Sequence, residues 1–194
     1  MDPTPELASA GAALRTGKLV VLPTDTVYGV AALPRARGSI AAIFEAKGRP
    51  TDKALPVLAA SIDDLTEVVS FDARAVELGG RYWPGPLTIV LPRKVTWPYD
   101  LGGDDSTSVA VRIPRSEMAR GLLELTGPLA VTSANLSGES PATTIEEARA
   151  HLGDRVAVYL DGGRCSGQVS TVLSLVGEPR VLRPGAIPAG ELLG

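Results

Sequence analysis

Apolar residues along the chain come in short runs separated by polar segments that carry proline or glycine. Residues 19–22 form a continuous apolar run stopped by Pro23, which predicts a buried strand. Residues 87–91 and 109–113 run apolar or alternate, and read as strands. So do the shorter stretches 55–58, 129–131, 156–160, 171–175 and 180–182. Ile40, Ile43, Phe44 and Lys47 fall at helical spacing and predict a helix over 38–46, ended by Gly48 and Pro50. Residues 7–15, 73–82 and 117–125 also read as helices, the first ended by Gly17. Thr144 reads as an N-cap, with Glu147 three residues on, for a helix to about 152. Residues 24–29 read as a polar loop or short strand after the first apolar run, and 132–143 as a polar loop.

Strands and helices mix without strict alternation. That predicts an α/β (α+β-like) domain around a mixed sheet, with one domain over 1–194. The Pro- and Gly-rich stretch 97–103 reads as a long loop rather than a domain boundary. Extended to 105, with its acidic residues, it is a candidate lid.

Composition narrows the class. Hydrophobic residues make up 44% and charged ones 21%, as in ordinary soluble globular proteins. Aromatics are only 4%, so the core must be built from Val, Leu, Ile and Ala. With 19 basic and 22 acidic residues the net charge is -3, which lacks the basic excess of a nucleic-acid clamp but leaves room for a local basic cleft. Cys165 is the single cysteine, so neither an internal disulfide nor a thiolate metal cage is expected. No stretch approaches the ~18 apolar residues of a membrane span. The segment 1–6 lacks the basic and apolar regions of a signal peptide, so a cytoplasmic protein without a membrane partner is expected.

Two familiar motifs fail. Between Gly11 and Gly17 lie five residues where a phosphate-binding loop needs four, and Leu19 stands where that loop needs Ser or Thr. The only histidine, His151, near a predicted helix end, has no visible partner for a Ser-His-Asp mechanism.

The chemistry gathers instead in polar segments next to apolar strands: 23–29 (Pro-Thr-Asp-Thr-Val-Tyr-Gly), 47–50 (Lys-Gly-Arg-Pro), 108–112 (Ser-Val-Ala-Val-Arg), 132–138 (Thr-Ser-Ala-Asn-Leu-Ser-Gly) and 182–185 (Leu-Arg-Pro-Gly). Ligands of open α/β sheets bind beyond the carboxyl ends of strands. Lys47, Arg49, Lys53, Arg112 and Arg183 could neutralise a polyanion, and Ser133, Asn135 and Ser137 offer hydroxyl and amide groups. The residues alone support an anion-binding α/β enzyme. They leave open the plainer reading of solvated charges and a turn with a helix cap.

Taken in order, these segments resemble the threonylcarbamoyl-AMP synthases, the YrdC and Sua5 family. The resemblance also takes in Trp-Pro-Gly-Pro-Leu-Thr at 83–88, Val-Ala-Val-Arg-Ile-Pro at 109–114 and Ser170-Thr171, and runs from about 14 to 187. It implies a short single-domain form without the further C-terminal domain of longer Sua5 proteins. The implied fold is a YrdC-type twisted open mixed sheet flanked by helices, with a large basic cleft. The implied reaction joins L-threonine, bicarbonate and ATP into threonylcarbamoyl-AMP and pyrophosphate for the tRNA modification N6-threonylcarbamoyladenosine (t6A). Mg²⁺ would ride on ATP, and a TsaD-type transferase complex would accept the product. The resemblance puts Thr26, Arg112 and Ser170 at threonine. It puts Arg49, Lys53, Ser108, Ser133, Asn135 and Arg183 at ATP, with Lys47 in the cleft. No nucleophile is implied, because positioning and electrostatics carry such chemistry.

The chain departs from some relatives at Lys53-Ala54, at Leu58 where a histidine occurs, and at Val131 and Pro141. Three rivals remain: a YciO-like paralogue, the related domain of hydrogenase-maturation carbamoyltransferases, and a module of this fold that binds tRNA or double-stranded RNA by shape and phosphate contact. The single cysteine sets the chain apart from the second, whose chains carry zinc-finger-like cysteines. The net charge weighs against the third.

Overall fold

Burial alternates between two apolar clusters along single strands, and this alternation determines the architecture. The computed structural model describes residues 3–193; Met1, Asp2 and Gly194, and with them part of the segment read for a targeting signal, lie outside the described residues. In chain order the elements are α1 (Pro5–Arg15), β1 (Val20–Leu22), β2 (Gly29–Ala32), α2 (Ser39–Lys47), β3 (Val57–Leu58), α3 (Ile62–Val68), α4 (Ala73–Tyr82), β4 (Leu87–Pro92), β5 (Ser108–Arg112), α5 (Glu117–Thr126), β6 (Leu129–Ser133), α6 (Ile145–Leu152), β7 (Val158–Tyr159), β8 (Thr171–Ser174), β9 (Arg180–Arg183) and α7 (Ala189–Leu193).

The strands form one nine-stranded sheet in the order β7-β1-β2-β6-β3-β5-β4-β8-β9. The pairs β1–β7, β3–β5 and β4–β8 are parallel and the rest antiparallel, so the sheet is mixed, as expected.

Val21, Val30 and Val57 join a large cluster with Ile43 of α2, Leu65 of α3, Leu78 of α4 and Leu152 of α6. Their neighbours Val20, Leu22 and Ala31 join a second cluster with Leu14 of α1 and Leu122 of α5. Side chains on a strand point alternately to opposite faces. Helices therefore cover both faces of the sheet at β1 and β2. The second cluster reaches Leu58 and Val131 and takes no described residue from β4, β5, β8 or β9. On β5, Val109 and Val111 still enter the first cluster, while Ala110 and Arg112 turn to the face with no apolar layer above it. A cleft opens where the α1–α5 layer stops.

Several elements differ from expectation. Helix α3 was not anticipated, because its seven residues are too short for a clear period; Ser61 and Asp64 cap it reciprocally. Strand β2 extends beyond the expected polar loop, since Gly-Val-Ala-Ala is buried on both faces and shows no alternation. Strand β7 is two residues where five were expected, and α7 was not expected at all. The segment 97–105, read as a candidate lid, is anchored: Trp97 and Leu101 are buried, the Leu101 carbonyl accepts from Leu55 N at 2.9 Å, and Gly103 N donates to the Thr51 carbonyl at 2.7 Å.

This layering makes a contrast testable by denaturant unfolding. Ala31→Leu, on a strand covered on both faces, should cost about 1–3 kcal/mol through overpacking. Ala110→Leu, on the uncovered face, should change stability by less than about 1 kcal/mol. Equal costs at the two positions would contradict the one-sided cover of β5.

Candidate functional site

Three loops form one wall of the cleft, and backbone hydrogen bonds stitch them together. The loop 23–28 turns on Thr24, whose hydroxyl accepts from Thr26 N at 3.1 Å and Val27 N at 3.2 Å and donates to the Val27 carbonyl at 2.6 Å. Tyr28 N donates to Ala142 O and Ala134 N to Tyr28 O, which ties this loop to 133–143. Gly167 N donates to Thr26 O and Cys165 N to Thr143 O, which ties in the loop 161–170. The Tyr28 hydroxyl, buried against that third loop, donates to Gly163 O at 2.7 Å and accepts from Gly162 N. Burial pushes its pKa up to about 12, so it stays a neutral clamp at working pH.

The pocket encloses about 320 Å³ and is lined by Thr26, Arg49, Arg112, Ser133, Ser170 and Arg183 among others. Six of the residues expected at ligands thus meet in one place. The positions where the chain departs from some relatives, Ala54, Leu58, Val131 and Pro141, line it too. Two glycines permit close approach. A Cβ on Gly29 would lie 2.6 Å from Val131 Cγ1, and one on Gly185 would lie 2.5 Å from the Ser170–Thr171 backbone.

Arg112 is 5% exposed. Its Nε donates to Gly85 O at 2.9 Å, one terminal nitrogen to Thr26 Oγ1 at 2.9 Å, and the other to Asp25 Oδ1 at 2.7 Å. Desolvation lowers its pKa and Asp25 opposes that shift; a guanidinium stays charged regardless. Arg183 donates to the Ser170 carbonyl at 2.8 Å and to Ser170 Oγ at 3.0 Å, and Ser170 Oγ also shares a 2.8 Å bond with Thr88 Oγ1. Arg49 reaches the Lys53 carbonyl at 3.1 Å. Burial lowers the pKa of both Arg49 and Arg183.

Four expected site residues are not part of the lining. Lys53 is exposed and contributes its carbonyl to Arg49. Ser108 gives its hydroxyl to Asp105 at 2.6 Å. Asn135 is buried and spends its amide nitrogen on Leu136 O and Glu139 O, which shapes the turn after β6. Lys47, 3% exposed, donates to the carbonyls of Ser133 and Asn135, while Ser137 N donates back to Lys47 O. Lys47 clips the end of α2 to the loop that presents Ser133. Sequence reasoning missed Asp25 and Thr88. Both stood inside the quoted segments, but nothing in their spacing distinguished them from turn and strand residues.

Among the described residues no group of three or more His, Cys, Asp or Glu side chains could hold a metal ion, and no helix is long and apolar enough to cross a membrane.

The Lys47 clip has a pH signature. Desolvation, with Arg49 nearby, pushes Lys47 down to about 8 from 10.5. The folded state therefore loses this proton first, and its stability rises with pH between those values. Relative to Lys47→Met, the wild type should gain about 2 kcal/mol from pH 8 to pH 10 in urea unfolding. Parallel pH profiles for the two proteins would refute the burial of a titrating ammonium.

Comparison with known proteins adds a family to this geometry. Residues 12–185 match the family Sua5_yciO_yrdC, described as "Telomere recombination". A Mycobacterium tuberculosis protein, provisionally named a threonylcarbamoyl-AMP synthase, is 43% identical over 194 residues, covering 97% of this chain and 89% of its own. The threonylcarbamoyl-AMP synthase of Pyrococcus abyssi is 41% identical over 184 residues, covering 92% of this chain and 54% of its own. The solved structure of P. abyssi Sua5 with L-threonine matches with a TM-score of 0.91 at 38% identity, over 96% of this chain and 56% of that one. This chain thus spans about half the length of the longer relative. Escherichia coli YciO matches with a TM-score of 0.88 at 24% identity, a likeness of fold.

Proposed function

The chain belongs to the Sua5–YciO–YrdC family, and on that footing we propose that it is a threonylcarbamoyl-AMP synthase whose cleft brings L-threonine, bicarbonate-derived CO₂ and ATP together. The observation that carries the reading is the identity to synthases over nearly the whole chain, with Thr26, Arg112 and Ser170 gathered in one pocket of a fold that holds L-threonine in P. abyssi Sua5.

A guanidinium has five N–H donors. Three of those on Arg112 are committed to Gly85, Thr26 and Asp25, and the remainder, without a partner among the described residues, can serve the threonine carboxylate. Ser170 and Thr88 present hydroxyls beside it. Held there, the neutral amine of threonine attacks CO₂ and loses a proton, giving N-carboxythreonine. A carbamate oxygen then attacks the α-phosphorus of ATP. The P–O bond to the leaving group breaks and pyrophosphate departs, leaving threonylcarbamoyl-AMP.

Two anions must meet in this step, so repulsion is the main electrostatic barrier. Arg49 and Arg183, without a carboxylate partner among the described residues, supply the positive field that offsets it. Ser133, held by the Lys47 clip, offers its hydroxyl to the nucleotide. These pocket cations support the reading of a basic cleft. The charged side chains lining the pocket are all cationic, so Mg²⁺ fits as a passenger on the triphosphate, where it screens charge, rather than as a protein-bound ion. The product is a reactive mixed anhydride, and a TsaD-type transferase complex takes it for t6A formation.

Purified protein with ATP, Mg²⁺ and bicarbonate should release pyrophosphate only when L-threonine is present, with threonylcarbamoyl-AMP seen by mass. Arg112→Ala should lose the threonine-dependent turnover while still binding ATP. A folded, ATP-binding protein that makes no such product would instead behave as a YciO-like paralogue.

A further inference from the structure

Asp25 belongs to the same short loop as Thr26, yet it does not line the pocket. It stands behind Arg112. One oxygen, Oδ1, accepts both from Arg112 at 2.7 Å and from Arg115 N at 2.8 Å. Side-chain exposure is 7% for Arg112 and 15% for Asp25. Among the described residues this is the only ion pair that involves a pocket cation. The other two partners of Arg112, the Gly85 carbonyl and the Thr26 hydroxyl, are neutral. All three bonds are charge-assisted, because the donor is a guanidinium; the one to Asp25 is the shortest, at 2.7 Å, and its acceptor oxygen is itself held in place by Arg115 N.

Two effects of Asp25 on an incoming carboxylate have opposite signs. Its negative charge repels the substrate and offsets part of the attraction of Arg112. Its oxygen fixes the direction of the guanidinium plane, which decides whether the uncommitted N–H groups face the pocket. Arg183 is close enough to oppose the Arg112 charge, so an unheld guanidinium would be driven away from it. Orientation outweighs the charge here, because Arg112 is almost fully buried and lines the pocket, which leaves few directions from which a carboxylate can reach its uncommitted donors.

We propose that Asp25 is a positioning residue for substrate recognition, an acceptor that aims Arg112 at the carboxylate of L-threonine. This rests on the reading of the pocket as a threonine site. What matters is an oxygen at the place of Oδ1, so Asp25→Asn, which can keep one there, preserves the function, and Asp25→Ala does not.

The test is to measure KM for threonine and for ATP separately in the wild type and both variants. Asp25→Ala should raise the threonine KM about tenfold or more, with the ATP KM within about twofold. Asp25→Asn should restore the threonine KM to within about threefold of wild type. An unchanged or lowered threonine KM in Asp25→Ala would overturn the proposal and make the charge the deciding effect. An equal rise in both KM values would reduce Asp25 to general support of the fold. A wild type without threonine-dependent turnover would overturn the synthase reading and this inference with it. Should Asp25→Ala fail to fold, ¹⁵N NMR of the arginine side chains of the wild type decides independently of activity. The Arg112 terminal N–H signals should be resolved and slow to rotate. Rapid averaging, as in exposed arginines, would overturn the proposal.

Discussion

A buried guanidinium on a central strand is the constraint around which this cleft is organised. Arg112 ends β5 in the interior of a nine-stranded sheet and is almost fully shielded from water. An uncompensated charge there would cost several kcal/mol. The chain compensates with a carboxylate, a carbonyl and a hydroxyl from two separate segments, 25–26 and 85. Those segments must be held in turn. The Thr24 turn shapes the first, and the stitching to 133–143 and 161–170 fixes its place. The need to satisfy one cation thus links most of the loops around the pocket.

The pocket exists because the second helical layer is short. Helices α1 and α5 cover the face of the sheet over β1, β2, β3 and β6, and their apolar cluster ends at Leu58 and Val131. Beyond that edge the same face carries Ala110, Arg112, Thr88, Ser170 and Arg183, which hydrogen-bond one another where they can instead of packing against a helix. The other face remains apolar through Val109, Val111, Ile89 and Leu173. One sheet therefore serves as core on one side and as the floor of a cation-lined pocket on the other. For a reaction between two anions, a rigid platform with cations at fixed places is the main catalytic requirement.

Much of this was legible from residues alone. The apolar runs at 19–22, 87–91 and 109–113 announced strands because burial on one or both faces leaves a direct pattern. The short α3 and the unalternating β2 left none. Within the site, residue type identified Arg49, Arg112 and Arg183 as cations of interest, and they do meet. Type could not say that Lys47 and Asn135, in equally suggestive segments, spend their donors on backbone carbonyls behind the wall. It also could not pick out Asp25, whose partner lies 87 positions away. Which way a polar side chain faces is decided by tertiary packing, and a local motif does not contain that information.

Whether Arg112 receives the carboxylate of threonine is decided by calorimetric titration of the wild-type protein with L-threonine and with L-threoninol. Threoninol keeps the amine, the hydroxyl and the methyl group and has a neutral hydroxymethyl group in place of the carboxylate. Threonine should bind, and threoninol should not bind measurably. Comparable binding of the two would show that the carboxylate is not what the pocket recognises and would contradict the role given to Arg112.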